Sequence, residues 1–330
     1  MYKLLRKFLF SLDPEKAHHL TLNGLWMAEK LGLCQLFVKP IMKPVSVMGL
    51  TFPNLLGIAA GLDKSGDYID ALGSLGFGFI EIGSLTPKPQ DGNPKPRLFR
   101  IPAEKAILNR MGFNNKGVDY AVQQLQKIKY RGILGINIGK NKVTPNELAL
   151  DDYVHVFRKI AHYASYVTIN ISSPNTENLR ALQHGELLQN LLRGMKQEQL
   201  TLFTQQKKYI PLVVKISPDI TSTELESMAD IFLQEKIDGV IATNTTMTTT
   251  PTEGTGGLSG QPLMSLSTTI LKKLHERLQN QIPIIGCGGI FSPEDAHIKL
   301  ANGARLLQIY TGLIYQGPGL ISEILSSIPV

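Results

Sequence analysis

The chain has 330 residues, 43% of them hydrophobic and 18% charged, which allows a sizeable core and excludes a disordered or fibrous chain. Its formal charge of +7 suits an anionic substrate, an anionic membrane surface or nucleic acid, without choosing among them. Two cysteines, Cys34 and Cys287, build neither a disulfide framework nor a zinc signature and point to a reducing compartment.

The first 40 residues differ from the rest. Leu4, Leu5, Phe8, Leu9 and Leu12 form a short apolar stripe with Lys3, Arg6 and Lys7 among them. The run is too short and too soon interrupted, by Asp13 to Lys16, for a secretory signal or a membrane span. Asp13 before Pro14 is a helix cap followed by a first-turn proline. Leu20, Leu25, Trp26 and Leu31 continue at helical spacing, Gly32 ends the run, and Leu36, Phe37 and Val38 follow before Pro40. The pattern predicts an amphipathic helical extension over 1–40, packed flat on the main domain or lying on lipid. Residues 45–48 and 50–52 flank Gly49 as a small hairpin.

A strand–helix rhythm then occupies 41–330. Short apolar strands are expected at 55–60, 79–84, 134–138, 167–171, 212–216, 239–243, 282–286 and 306–310. Helices are expected at 68–75, 118–127, 152–164, 185–206, 222–234, 267–278, 293–301 and 318–326. Eight such units predict a closed (β/α)8 TIM barrel, whereas an open doubly wound sheet would leave strands unexplained. The threonine-rich tract 243–252 reads as a surface loop or mobile lid.

The strand ends are unusually polar. Asn170, Ser172, Ser173, Asn175 and Thr176 follow the fourth strand, and Pro174 forces the chain to turn there. Turn chemistry alone would accept these residues, but the other strand ends are similarly equipped. The first carries Ala60, Gly61 and Lys64, the second Ser84, the third Asn137, the fifth Lys215, and the sixth Thr243, Asn244 and Thr245. Gly256 to Gly260 follows, and Gly288, Gly289, Tyr310, Thr311 and Gly312 end the last two strands, where barrels commonly bind phosphate. A lysine inside a buried strand, Lys215, is costly unless it faces an anionic or electron-rich group. No His/Asp/Glu cluster has metal spacing. Together these residues predict a phosphorylated planar cofactor among amides and two lysines, with a hydroxyl of Ser172 or Ser173 near the chemistry. FMN fits, its phosphate over the last two strands and Lys215 stabilising charge on the reduced ring.

The segments Ala59 to Lys64, Asn109 to Asn115, Asn170 to Thr176 and Gly256 to Gly260 resemble the dihydroorotate dehydrogenases, specifically the quinone-dependent, membrane-associated class, over essentially the whole chain. The resemblance implies an FMN barrel oxidising dihydroorotate to orotate in pyrimidine synthesis and reducing ubiquinone or menaquinone. It implies FMN contacts from Ala60, Gly61, Lys64, Ser84, Asn137, Asn170, Lys215, Thr243, Gly260, Gly289, Tyr310 and Thr311. It assigns the substrate to Lys64, Asn109, Arg110, Met111, Gly112, Phe113, Asn170, Asn175, Asn244 and Thr245. Ser173 matches the catalytic base, with Thr176 and a relayed water as its activator and Lys64 beside it; the soluble classes carry cysteine there. His18 and Arg100 match polar residues near the quinone head. The resemblance further implies a monomer held peripherally on the cytoplasmic face of the inner membrane, against anionic lipid. Dispersed basic residues without an aromatic–arginine stacking pattern argue against a nucleic-acid partner or a non-enzymatic RNA-binding barrel. The competing enzyme readings are a soluble dihydroorotate dehydrogenase using fumarate or NAD, and another FMN-dependent barrel. Serine at 173 and the N-terminal extension disfavour the soluble classes. Ser84, where relatives often carry threonine, and a short 247–255 loop are the departures.

Overall fold

The computed structural model describes residues 2–34 and 40–329. Helices α1 (Tyr2–Ser11) and α2 (Pro14–Lys30) form the extension. The Asp13 side chain accepts the Lys16 N–H at 2.9 Å, with Pro14 in the first turn, so the cap works as its residue types require. Leu36, Phe37 and Val38 lie outside the described residues. The inner side of the pair is tied to the barrel by polar contacts. Tyr2 donates to the Ile314 carbonyl at 2.6 Å, and Glu15 pairs with Arg97 and Lys95 at 2.7 and 2.8 Å. Its outer side carries Leu4, Leu5, Phe8, Leu20, Met27 and Leu31, all exposed.

The hairpin of Val45–Val47 and Leu50–Phe52 turns through Met48 and Gly49, both at positive φ (55° and 73°), as a tight two-residue turn demands. Val47 and Phe52 pack with Phe79, Tyr166, Val213 and Ile285, closing one end of the barrel.

Eight parallel strands form the closed barrel. They are β1 (Leu56–Ile58), β2 (Phe79–Leu85), β3 (Ile133–Ile138), β4 (Tyr166–Asn170), β5 (Leu212–Ile216), β6 (Gly239–Ala242), β7 (Ile284–Cys287) and β8 (Ala304–Ile309). They pair in chain order and β8 closes on β1. All eight expected strands are present, each within a few residues of its expected ends. The helices Gly185–Gln206, Ser222–Gln234 and Pro293–Ala301 fall where expected. The last two are marked by local chemistry, a Thr221–Glu224 capping box and a Ser292 cap before Pro293.

Two expectations need correction. The helix expected at 267–278 starts earlier and spans Leu263–Leu278. The threonine tract is not a loop. Thr246–Thr250 is a strand paired antiparallel with Gly254–Gly260, which in turn pairs with Ala106–Asn109 and then Leu98–Ile101 in a four-stranded sheet. Threonine's β-branch suits a half-buried strand, and Gly254 at φ 71° makes the turn.

Candidate active site

Asn170 lies opposite Lys215, and Asn137 opposite Thr168. Above them a cavity of about 440 Å3 is lined by Gly288, Gly289, Lys215, Ser173 and Lys64, and by Glu15 and His18 of α2. Its wall also includes Ala60, Gly61, Ser84, Asn170, Thr243, Gly260, Tyr310 and Thr311, together with Asn109, Met111, Gly112, Phe113, Asn175, Asn244 and Thr245. Four expected site residues lie outside this wall. Asn137 is fully buried behind Ser84 and Asn170. Thr176 is buried behind the turn, and its hydroxyl has no hydrogen-bond partner among the described residues. Arg110 stacks over the Phe99 ring at 4.7 Å and donates to the Thr255 carbonyl at 3.1 Å, bracing the threonine hairpin. Arg100 donates to the Phe10 and Leu12 carbonyls at 3.2 and 2.9 Å, satisfying the end of α1.

Ser173 is buried, and its Oγ accepts the Asn175 N–H at 3.3 Å. Asn175 donates from Nδ2 to Asn109 Oδ1 at 2.9 Å, and Asn109 donates to the Gly257 carbonyl at 3.0 Å, so the serine turn is tied to the small sheet. Arg180 clamps the other side, donating to the Ser172 and Thr245 carbonyls at 3.2 and 3.1 Å while paired with Asp219. Lys64 donates to the Gly61 carbonyl at 2.6 Å, and burial pulls its pKa down to about 8. Burial, followed by the nearby Lys64 cation, pushes His18 down to about 3, so its imidazole is neutral at physiological pH.

The wall combines an unpaired buried cation with a close glycine turn, which suits a planar, electron-rich ligand. Lys215 is 6% exposed and makes no hydrogen bond or ion pair among the described residues, a costly state that an electron-rich ring relieves. At Gly289, with φ 83°, a Cβ would lie 2.4 Å from Met264 Cα; only glycine permits this close turn beside the Leu263–Leu278 helix. Sequence reasoning passed over Glu81, Gln308 and Arg180. Glu81 carried the same signal as Lys215, a charge inside an otherwise apolar strand.

The sequence model of the family described as "Dihydroorotate dehydrogenase" matches residues 42–330. A "Dihydroorotate dehydrogenase (quinone)" of Saccharophagus degradans is 54% identical over 98% of this chain and 97% of its own. One of Acinetobacter baylyi is 54% identical over 99% of each. The crystal structure of the Eimeria tenella enzyme with ferulenol superposes with TM-score 0.84 at 35% identity, covering 96% of this chain and 90% of that one. A family match across the barrel, and relatives alike from end to end, mean that this chain belongs to the dihydroorotate dehydrogenase family.

Proposed function

We propose that this chain oxidises dihydroorotate to orotate, a step of pyrimidine synthesis, and that a membrane quinone receives the electrons. A flavin comes with the family; FMN is our assignment. The observation that carries the reading is a continuous cavity joining a glycine cradle, Lys215, Ser173 and a neutral His18.

Gly260, Gly289 and Thr311 would hold the phosphate end of FMN, and Ala60, Gly61, Ser84, Asn170, Thr243 and Tyr310 would border its ring, with Asn137 setting Asn170 from behind. A bound flavin would supply the acceptor for the hydride leaving substrate C6 and the two-electron donor for the quinone. Lys64 meets the substrate carboxylate, and Asn109, Asn175, Asn244 and Thr245, with the main chain of Met111 to Phe113, orient the ring. Ser173 takes the proton from C5, leaving the electron pair to form the C5–C6 double bond. A free serine is a poor base. The spare buried hydroxyl of Thr176 fits a water relay that carries its proton away. Arg110 acts at one remove, holding the hairpin over the substrate.

Residues 1–40 serve as the quinone and membrane segment, and 41–330 as the catalytic barrel. No helix among the described residues is long and apolar enough to cross a membrane. The exposed apolar side of α1 and α2 instead lies on anionic lipid, with Lys3 and Lys7 among the head groups. Quinone enters beneath α2 beside neutral His18. Arg100 contributes by fixing the end of α1 at that entrance. The protein acts as a monomer on the cytoplasmic face of the inner membrane. Serine at 173 and this exposed apolar face both favour quinone over fumarate or NAD.

Purified protein should be yellow and release FMN on denaturation. Anaerobic dihydroorotate should bleach it, and quinone should restore the colour. Colourless protein that FMN does not reconstitute overturns the assignment.

A further inference from the structure

Glu81 sits on β2 inside the barrel, 1% exposed, and three donors from three other strands converge on it. Asn137 Nδ2 donates to one carboxylate oxygen at 2.8 Å; Tyr166 Oη and Gln308 Nε2 donate to the other, each at 2.8 Å. Both carboxylate oxygens act as acceptors here, so each amide turns its nitrogen toward them. Asn137 therefore turns Oδ1 the other way, where it accepts from Ser84 Oγ and from Asn170 Nδ2, the latter at 3.1 Å. Asn170 in turn presents Oδ1 to the N–H and hydroxyl of Ser172, at 3.2 and 3.0 Å. Ser172 Oγ, its proton so used, accepts Asn244 Nδ2 at 3.0 Å. On the other branch Gln308, which borders the cavity, is left with Oε1 unpartnered among the described residues.

We propose that Glu81 is a positioning residue. Its carboxylate sets which end of each amide faces the ligands, through Asn137 to Asn170 and the serine turn, and through Gln308 at the cavity wall. The inference rests on the flavin and orotate reading of this cavity. A glutamine at 81 has the same shape but a single oxygen. That oxygen serves either Asn137 or Gln308, and the other amide must reverse or lose its bond. Moving the carboxylate one step along the chain of bonds removes the conflict. When Glu81→Gln is combined with Asn137→Asp, the new amide donates to the new carboxylate and keeps its oxygen for Tyr166 and Gln308. The new carboxylate still accepts from Ser84 and Asn170.

Three proteins are compared: wild type, E81Q, and the E81Q/N137D double variant. FMN affinity of the apoproteins is read by flavin fluorescence, and orotate affinity by its perturbation of the flavin spectrum. Melting temperature is followed in parallel. E81Q should bind FMN or orotate roughly 10-fold or more weakly, as expected when a buried hydrogen-bonding group is mispaired. The double variant should recover a large part of that loss. The inference is overturned if E81Q binds like wild type, if the double variant is no better than E81Q, or if the double variant recovers melting temperature alone. Wild-type protein that binds no flavin would overturn the functional reading itself, and this inference with it, which the wild-type control separates from the other outcomes.

Discussion

Ser173 and Lys64 do different work in the same cavity, and their tests differ. Ser173→Ala removes the proton acceptor but no group assigned to FMN. Flavin and orotate binding should persist, while stopped-flow reduction by dihydroorotate slows by at least roughly 100-fold, the lower range for loss of a general base. Near-normal reduction would remove Ser173 from the role. Lys64 is a cation below its depressed pKa of about 8 and neutral above it. Orotate, a carboxylate throughout, should therefore bind more weakly as pH rises through about 8, and Lys64→Met should bind weakly at neutral pH with that dependence gone. Spectral titration on both sides of pH 8 checks the sign; a flat wild-type profile contradicts the assignment. Lys215 was legible as a site residue because a lone charge in an apolar strand must have a reason. Glu81 carried the same signal, but its meaning depended on Tyr166 and Gln308, which no local pattern connects to it.

At the scale of elements, α1 and α2 carry apolar side chains on two sides: Leu9, Ala17 and Leu22 are buried toward the barrel and Phe10 packs edge-on against Tyr315, while a second apolar set faces out. Tyr2, Arg6 and Glu15 hold the barrel through polar bonds, while Leu4 is 73% and Phe8 57% exposed on the outside. A packed helix pair would turn those side chains inward. Leu4→Glu with Phe8→Glu should abolish binding to anionic vesicles and slow turnover with a long-tailed quinone. Anaerobic flavin reduction by dihydroorotate should stay near wild type, because neither residue borders the cavity. Retained vesicle binding in sedimentation would return this face to ordinary surface. The helix pair was readable from Asp13, Pro14 and Gly32, but the direction its apolar side faces was not. The threonine tract shows the opposite failure. Its composition read as a loop, and its pairing partners made it a strand.

For the whole molecule, barrel closure gathers the cavity wall from the ends of many strands, so a bound cofactor would hold together parts far apart in the chain. A flavin that binds only the folded barrel stabilises it by mass action, by about 2.7 kcal/mol at a free concentration 100 times its dissociation constant. The apoprotein should melt several degrees lower, and its melting temperature should climb with added FMN but not with riboflavin at equal concentration if the glycine cradle holds the phosphate. A melting curve indifferent to FMN would contradict the cradle.

The sequence by itself determined the eight strand–helix units, the hairpin at Gly49 and the N-terminal caps. Each depends on neighbours within a turn or two of chain, where apolar period and capping chemistry act. It also marked the polar strand ends, because buried strands have no other use for amides and lysines. Tertiary structure alone decided the four-stranded sheet, the outward turn of Arg110 onto residues 143 and 145 positions away, and the bond between Glu81 and Gln308, 227 positions apart. Those contacts exist because the barrel closes: β8 meets β1 only after the whole chain has wound round, and no local period encodes which side chains then face one another.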